Sequence, residues 1–375
     1  MKIRYLATLA FMFFAGGLFA QEVNLQEKLK TDPEVRIGTL DNGMTYYIRH
    51  NETPKNRVEL ELAVKAGAIL ETEAQRGLAH FTEHMAFNGT KHFEKNEMIS
   101  ALERMGIRFG AELNAATGFD KTFYTLSVPL SSPGILDTAM LVLEDWANNV
   151  TMDGEEIDKE RGVIEQEWRG GQGASDRMRK KSWPIIFKGS RYSERIPIGL
   201  IDVIRNHHHD TLRAFYKTWY RPNLQGLVVV GDIDVDQIEK KIKERFSQYK
   251  NPENAKERKI YSIPDNEQPL VAIVSDVEAP RTSVQVYFKR HSKPEVTLGD
   301  LRESLKDNIY SIMLSTRFSE IAQKPNSPFN FAYSSIGEFI GHNLDTYGLV
   351  AMAKEGKAIP SLKILLEENE RVKRF

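Results

Sequence analysis

From residue 77 to residue 89 the chain reads Gly-Leu-Ala-His-Phe-Thr-Glu-His-Met-Ala-Phe-Asn-Gly. Leu78, Phe81 and Met85 recur at the spacing of one helical face, which predicts a short helix with one apolar side. The Asn-Gly pair at the end of the stretch supplies a helix stop, because glycine readily adopts the left-handed conformation of the C′ position. A short, well-terminated, half-apolar helix is what a buried metal site needs.

The polar side of this predicted helix carries two imidazoles and a carboxylate. Residues at i and i+4 are neighbours on a helix surface, so His80 and His84 can direct two nitrogen atoms at one cation. Neutral imidazoles suit Zn²⁺, and Glu83 beside them could hold a water for metal-assisted hydrolysis. The order H-x-x-E-H inverts the commoner H-E-x-x-H zinc helix. Three fixed positions also occur by chance, but the surrounding helix signals favour the metal site.

A zinc peptidase needs a third protein ligand, which leaves the fourth position for water. The best candidates lie in the acidic stretch 155–168, which predicts a second helix. Its carboxylates would by default form a solvated face, and composition alone does not choose among them. Glu160 and Glu167 are seven residues apart, about two helical turns, so they share a face.

Several further motifs follow one another along the chain. They are Leu40-Asp41-Asn42-Gly43-Met44, Phe87-Asn88-Gly89-Thr90, Asn114-Ala115-Ala116-Thr117 with Asp120 and Thr122, Glu160-Arg161-Gly162-Val163-Ile164 with Glu167, Ile196-Pro197-Ile198-Gly199, Tyr220-Arg221-Pro222-Asn223-Leu224 and Val229-Val230-Gly231-Asp232. With the histidine helix, they give residues 35–250 a resemblance to the insulinase/pitrilysin family of inverzincin zinc metallopeptidases, in the N-terminal half of its members. This family also includes the mitochondrial processing peptidase.

The resemblance implies a role for each candidate residue. His80, His84 and Glu167 would bind one Zn²⁺ per chain, and Glu83 would be the general base. Glu160 would support the ligands from the second shell. The interval between His84 and Glu167 is a few residues longer than is usual in the family. A short loop insertion would explain the difference, but it leaves Glu160 as a rival ligand.

The resemblance also implies how a substrate would bind. In the family, the region of Asn114 and Ala115 pairs its backbone with an extended peptide, a form of β-augmentation. From the residues alone, a loop and an edge strand are the simpler interpretation. The implied function is a zinc-dependent endopeptidase that hydrolyses extended peptides or unfolded polypeptides with activated water and a Glu base. The alternative is a non-catalytic or partner-dependent subunit of the same fold, against which the intact motif residues argue.

Composition limits the remaining classes of function. Lys and Arg total 51 and Asp and Glu total 52, so the chain is almost neutral and lacks the basic excess of a nucleic-acid-binding protein. Hydrophobic residues make up 41% of the sequence, which suffices for packed cores, and 375 residues predict two domains. Cysteine is absent, which excludes disulfides and thiolate zinc ligands.

Residues 1–20 are typical of a signal peptide. A basic start is followed by an apolar core and by small residues that end at Ala20, so Gln21 would be the first mature residue. This predicts an exported protein, periplasmic or secreted. A membrane anchor is the alternative, but the apolar stretch is short for a spanning helix, and no other stretch is long enough for a stable membrane span.

The order of predicted elements indicates an α+β fold. The signals include a hairpin around Asp41-Asn42-Gly43, strands at 122–129, 227–232, 270–274 and 283–289, and helices at 135–148, 236–249 and 359–374. We expect two successive homologous domains, each a mainly antiparallel sheet covered by helices, with the second incomplete. The predicted divisions are a catalytic zinc-peptidase domain at 35–250, a linker at 251–265 and a truncated second family-type domain at 266–375.

The resemblance further implies a missing part. In the family, a second half or a partner subunit faces the catalytic half and forms a closed chamber around the peptide substrate. We therefore expect a C-terminal half or partner subunit to complete this chain, which would be a fragment, a truncated gene product or one part of a split enzyme.

Other histidines have simpler interpretations. Three adjacent histidines, His207, His208 and His209, do not converge on one helix face, so a polar loop or helix start is expected there. His92 follows the predicted metal helix closely, and we expect it to have a local structural role.

Overall fold

The computed structural model describes residues 23–341 and 344–372. The predicted signal peptide at residues 1–20 lies outside them. The described chain combines helices with two mainly antiparallel sheets, one of six strands and one of three. The prediction of an α+β fold with two successive sheet-and-helix parts is therefore confirmed.

The strands of the described chain fall into two groups along the sequence. The larger sheet contains β1 (Val35–Thr39), β2 (Thr45–His50), β3 (Arg57–Val64), β4 (Leu113–Thr117), β5 (Thr122–Pro129) and β6 (Gln225–Gly231), and the smaller sheet contains β7 (Thr282–His291), β8 (Phe329–Glu338) and β9 (Leu344–Ala353).

The helices lie between and after these strands. They are α1 (Leu78–Met85), α2 (Glu97–Arg104), α3 (Ile135–Asn148), α4 (Gly154–Gly170), α5 (Ala174–Ile186), α6 (Ile201–Asn206), α7 (His209–Trp219), α8 (Val235–Phe246), α9 (Leu298–Ala322) and α10 (Ala358–Val372), with short 3-10 turns at Ala68–Leu70, Glu73–Gln75, Arg191–Ser193 and Pro222–Leu224.

The larger sheet has the strand order β1-β2-β6-β3-β5-β4. β1 and β2 form the hairpin that Asn42 and Gly43 predict, with Thr39 opposite Thr45. β6 enters the middle of the sheet, parallel to β2 and antiparallel to β3. β4 pairs with β5 and is the last strand at one edge of the sheet, where Leu113 also forms an isolated bridge with Phe109.

One hydrophobic core joins this sheet to the helices that carry the candidate site. Leu62 of β3, Val229 of β6 and Trp146 of α3 are fully buried in it. Phe81 of α1 and Ile164 of α4 belong to the same core and are also fully buried. Burial of a large apolar side chain stabilises by about 1.5–3 kcal/mol, so both site helices are fixed from their apolar faces.

The smaller sheet has the order β7-β9-β8, with both pairs antiparallel. Leu314 and Phe318 of α9, Phe329 of β8, Leu349 of β9 and Leu365 of α10 form its own buried core. This second core is smaller than the first, which agrees with three strands in place of six.

The connection between α8 and β7 contains no helix or strand over residues 247–281. The strand predicted at 270–274 is therefore wrong. Its alternating apolar side chains are largely solvent-exposed, with Val271 at 68% and Ile273 at 92%. Alternation favours a strand only where a neighbouring backbone accepts its hydrogen bonds, and the described residues offer none here.

The predicted linker, residues 251–265, lies along the first part of the molecule. Arg258 donates hydrogen bonds to the backbone oxygens of Lys65, at 2.7 Å, and Asp120, at 3.1 Å. Ile263 is only 5% exposed and joins the first core. The linker is thus anchored, and the division of the chain into domains around it stays a prediction.

Contacts between the two parts are both apolar and ionic. The rings of Phe187 in the first part and Phe339 in the second lie 5.5 Å apart. Arg177 of α5 donates from two nitrogens to the carboxylate of Asp276, at 2.7 Å each. The ionic contact holds the segment before β7 against α5.

Within the described residues, the structure contains no helix with the length and apolarity that crossing a membrane requires.

Candidate metal centre

The predicted histidine helix is α1, and its apolar face is buried as expected. Leu78, Phe81 and Met85 are each fully buried. The helix begins after Gly77, whose φ of 104° is a left-handed conformation that favours glycine. Gly199 crosses this start so closely that a Cβ atom on it would lie 2.3 Å from the Gly77 Cα atom. The site helix therefore starts at a point where two glycine backbones touch.

A buried carboxylate caps α1 in place of a local side chain. The backbone N–H groups of Gly77 and Ala79 donate to the two oxygens of Glu71, at 3.0 Å and 2.8 Å. Burial raises the pKa of Glu71 to about 8, although these two hydrogen bonds oppose the shift. Sequence reasoning missed this residue because it lies in the segment before the helix, outside the capping positions that patterns detect.

Two histidines and one glutamate converge beside α1. His80 Nε2 lies 3.6 Å and His84 Nε2 lies 3.5 Å from the same oxygen of Glu167, which α4 supplies. One ligand atom from each of the three residues lies within 4.8 Å of the other two. Spacing predicts the pairing of the two histidines and the family resemblance implies Glu167, and the structure brings all three together in a form that could hold a metal ion.

Glu160, the rival ligand, lies on the opposite side of the imidazole. His84 Nδ1 is 2.7 Å from one oxygen of Glu160, whereas His84 Nε2 faces Glu167. The other Glu160 oxygen accepts a hydrogen bond from Asn88 at 2.6 Å. This geometry favours Glu167 over Glu160 as the third ligand, and the two roles stay a prediction.

The donor set fits a zinc ion. Burial lowers the pKa of His80 to about 4, and the charge of His84 adds to this shift. A nitrogen of His80 is therefore free to bind a metal at neutral pH. Burial also penalises the charged form of His84, but hydrogen bonds to Glu160 and Glu167 outweigh it and raise the pKa to about 9. A metal ion must therefore compete with a proton for the imidazole of His84. The hydrogen bond from His84 lowers the pKa of Glu167 and keeps it anionic.

Glu83 is held beside this group by a hydroxyl. Its side chain is largely buried, with 8% of the residue exposed, and Thr117 Oγ1 donates to Glu83 Oε2 at 2.5 Å. Thr122 stands behind Thr117, with their hydroxyl oxygens 3.2 Å apart, and donates to the backbone oxygen of Ala66 at 2.9 Å. Burial raises the pKa of Glu83, and the Thr117 hydrogen bond opposes it. The motif containing Thr117 was recognised from sequence, but this role was not.

The predicted substrate residues lie on the edge strand β4. Asn114 is exposed and Ala115 is half-buried. Thr117, the last residue of β4, is the one that binds Glu83. The edge strand of the larger sheet therefore ends beside the carboxylate of Glu83.

The histidine triplet lies outside this group. His207 directly follows α6 and His209 begins α7, as expected for a loop and helix start. The His207 ring packs edge-on against Phe81 at 4.9 Å, and His209 Nε2 lies 2.8 Å from an oxygen of Asp158. Within residues 23–341 and 344–372, His80, His84 and Glu167 are the single group of three or more candidate ligands.

His92 is bound to a buried carboxylate. His92 Nδ1 lies 2.7 Å from Asp145, which is fully buried and also accepts a hydrogen bond from Thr90. These contacts fix the loop after α1 against α3, which agrees with the local structural role that was expected.

Comparison with known proteins agrees with the motifs. Residues 46–180 match the family model for insulinase (peptidase family M16), and residues 208–324 match the model for the peptidase M16 inactive domain. The chain belongs to the insulinase family. The resemblance seen in the sequence is thereby confirmed, and several relatives of this M16 chain are named as zinc proteases.

Three relatives illustrate the match. The zinc protease PQQL-like of Arabidopsis thaliana is 32% identical over 336 residues, which are 88% of this chain and 35% of that protein. The probable zinc protease PqqL of Escherichia coli is 34% identical over 82% of this chain and 32% of its own length. The crystal structure of the first half of the periplasmic protease PqqL from Escherichia coli has a TM-score of 0.79 at 29% identity, and the match covers 92% of this chain and 77% of that one. This M16 chain spans about a third of the length of the curated relatives it matches.

Proposed function

We propose that this chain carries the catalytic centre of a zinc-dependent endopeptidase that hydrolyses extended peptides or unfolded polypeptides. The observation that carries the proposal is the convergence of His80, His84 and Glu167, with Glu83 buried beside them. The names of the relatives support protease chemistry and zinc. A non-catalytic subunit would have no reason to keep three ligands and a buried carboxylate in this arrangement.

His80, His84 and Glu167 would hold one Zn²⁺ per chain, and Glu160 would orient His84 from behind. When bound, zinc supplies Lewis acidity that polarises a peptide carbonyl and acidifies water. The burial of α1 through Phe81 means that the two imidazoles are fixed before the ion arrives. Such preorganisation lowers the cost of assembling the site.

Glu83 would act as the general base. The hydroxyl of Thr117 occupies Glu83 Oε2, which leaves Oε1 to accept a proton from the attacking water and to return it to the leaving amine. Burial raises the pKa of Glu83, which makes its carboxylate a stronger base toward the proton of the attacking water.

Asn114 and Ala115 would bind the substrate at the outer edge of β4. Backbone pairing recognises an extended chain and does not depend on a particular side chain, so it selects unfolded segments. Because Thr117 at the end of the same strand holds Glu83, a peptide paired in register would bring one of its carbonyls toward the base. The near-neutral charge of the chain supports a peptide substrate over nucleic acid.

A second half or partner subunit would complete the chamber. The relatives are about three times as long as the matched region, which supports a partner of comparable fold. One of them is described as periplasmic. Together with the basic and apolar start of the sequence, this supports export to the periplasm or the exterior.

The proposal is tested by separating ligands from base. We expect about one zinc per wild-type chain by metal analysis, and a loss of zinc in Glu167→Gln because a neutral amide is a poor ligand. Glu83→Gln should retain zinc but lower peptide turnover, measured with a complementing C-terminal half, by about 10²–10⁴-fold. Glu160→Gln should weaken zinc binding less than Glu167→Gln does.

His92→Ala is the matched control, because this histidine is bound to a carboxylate outside the group and should leave zinc content unchanged. Unchanged zinc in a His80→Ala, His84→Ala double variant would contradict the proposed centre. A reversed order of the two glutamate variants would exchange their roles. Full turnover by Glu83→Gln would remove the base assignment.

A further inference from the structure

Asn88 lies just beyond α1 and points its side chain back at the site. Its amide Nδ2 donates to Glu160 Oε2 at 2.6 Å and lies 3.3 Å from the backbone oxygen of His84. We propose that Asn88 is a positioning residue for the ligand His84 and acts through Glu160, an inference that rests on the proposed zinc centre.

The contacts form an unbroken series from Asn88 to the candidate metal position. Asn88 binds one oxygen of Glu160, and the other oxygen accepts the hydrogen of His84 Nδ1 at 2.7 Å. With both oxygens engaged, the carboxylate cannot rotate without losing a hydrogen bond. A proton held on Nδ1 leaves the lone pair of His84 on Nε2, the atom that faces Glu167.

Burial makes these hydrogen bonds effective. The side chain of Glu160 is 12% exposed and that of His84 is 21% exposed, so water competes weakly for either group. Hydrogen bonds to an ionised carboxylate are stronger than neutral ones, particularly where solvent is excluded. Among the described residues, Asn88 and His84 are the side chains that donate hydrogen bonds to Glu160.

A simpler role is available to Asn88, because it also closes the end of α1. Its backbone N–H donates to the Met85 oxygen at 3.1 Å, as is common at helix ends. A residue that only ends the helix would affect stability, and any effect on zinc would not depend on Glu160. A positioning residue would lose its effect on zinc once Glu160 is gone.

The experiment is a double-mutant cycle on zinc affinity, measured by competition with a chromogenic chelator on the full chain. We expect Glu160→Ala to weaken zinc binding by about 10–100-fold. Asn88→Ala should weaken it by about tenfold in the wild-type background and by less than about twofold in the Glu160→Ala background. Asn88→Asp keeps the size but places a carboxylate against Glu160, so it should lose at least as much affinity as Asn88→Ala.

Asn149→Ala is the matched control. Asn149 also follows a helix, α3, and donates its side-chain amide to a carboxylate, that of Asp145, at 3.0 Å, but outside the site. It should lower thermal stability and leave zinc affinity unchanged. Equal effects of Asn88→Ala in both backgrounds, or unchanged affinity in Asn88→Ala, would overturn the positioning role while the zinc centre stands. A wild-type chain that binds no zinc would instead contradict the proposed centre, and the positioning role with it.

Discussion

Glu71 is the residue that fixes where the site helix begins. It is fully buried, and its two oxygens accept the first backbone N–H groups of α1. Arg191 and Arg195 donate to the backbone oxygen of the same residue, which ties its segment to the loop before α6. The helix that bears both candidate histidines is therefore held at its N-terminus by one fully buried acid group.

This burial predicts a pH dependence of stability. The pKa of Glu71 rises from 4.5 to about 8 on folding, so the folded chain holds a proton that the unfolded chain has released between these values. The free energy of unfolding should therefore fall with rising pH in that window, by up to about 1.4 kcal/mol per pH unit, and this contribution should level off above it. Urea unfolding of the wild type and Glu71→Gln, with chelator present, measures it.

Subtracting the two variants removes the titration of the histidines, which both retain. The wild type should lose stability relative to Glu71→Gln as the pH rises from about 5 to about 8. A difference between the variants that does not change with pH would mean that Glu71 is ionised in the folded protein throughout.

At the scale of single residues, sequence could predict what depends on local geometry. His80, Glu83 and His84 lie within five positions, so helix periodicity alone puts them together. The prediction of Glu167 as the third ligand depended on the family resemblance, because the local pattern favoured Glu160 equally. The supporting contacts of Asn88, Thr117 and Glu71 arise only when distant segments pack, and no spacing rule encodes that.

At the scale of elements, the start of α1 and the loop before α6 meet at two glycines. Gly199 has φ of 72°, and a Cβ atom there would lie 2.3 Å from the Gly77 Cα atom and 2.4 Å from the Arg76 oxygen. Gly199→Ala should destabilise the fold by about 2 kcal/mol or more, because both the left-handed backbone and the close approach oppose a side chain. It should also weaken zinc binding by displacing α1. Denaturant unfolding and metal analysis test both effects.

Gly162 offers the matched control. It lies inside α4, and a Cβ atom on it would meet nothing within 4 Å. Gly162→Ala should therefore stabilise the chain by roughly 0.5–1 kcal/mol. Wild-type stability in Gly199→Ala would show that the two loops can separate without cost.

Helices and strands were predictable where hydrophobic periodicity agreed with the residues that mark turns and helix ends. The β1–β2 hairpin follows from Asn42 and Gly43, and α3 and β5 occupy the ranges that their periodicity predicts. The failure at residues 270–274 has the opposite origin. Apolar side chains do alternate there, but a strand needs a second backbone to pair with. The described residues provide no such partner for residues 270–274.

At the scale of the molecule, the length of the relatives bears on activity. We expect the isolated chain to bind zinc but to hydrolyse an unstructured peptide about 10²–10³-fold more slowly than the same chain supplied with a C-terminal half from a similar enzyme. Loss of one donor to the developing oxyanion has an effect of this size, and an open site also lacks the positioning that closure gives.

The measurement compares turnover of one fluorogenic peptide by the chain alone and by the complemented chain, at equal zinc content. A Glu83→Gln chain with the same added half is the control for contaminating peptidases. Full turnover by the isolated monomer would show that a two-halved chamber is not required here.

The central position of β6 has a consequence for the order in which the chain acquires its structure. β2 and β3 are synthesised early, yet they do not pair with each other, because β6 lies between them and is made long after α1 and α4. Closing such long loops before any pairing is gained makes sheet formation slow. The histidines and Glu167 therefore leave the ribosome well before the scaffold that aligns them can close. In a growing chain, the complete sheet behind the candidate metal ligands can therefore form only after β6 has been made.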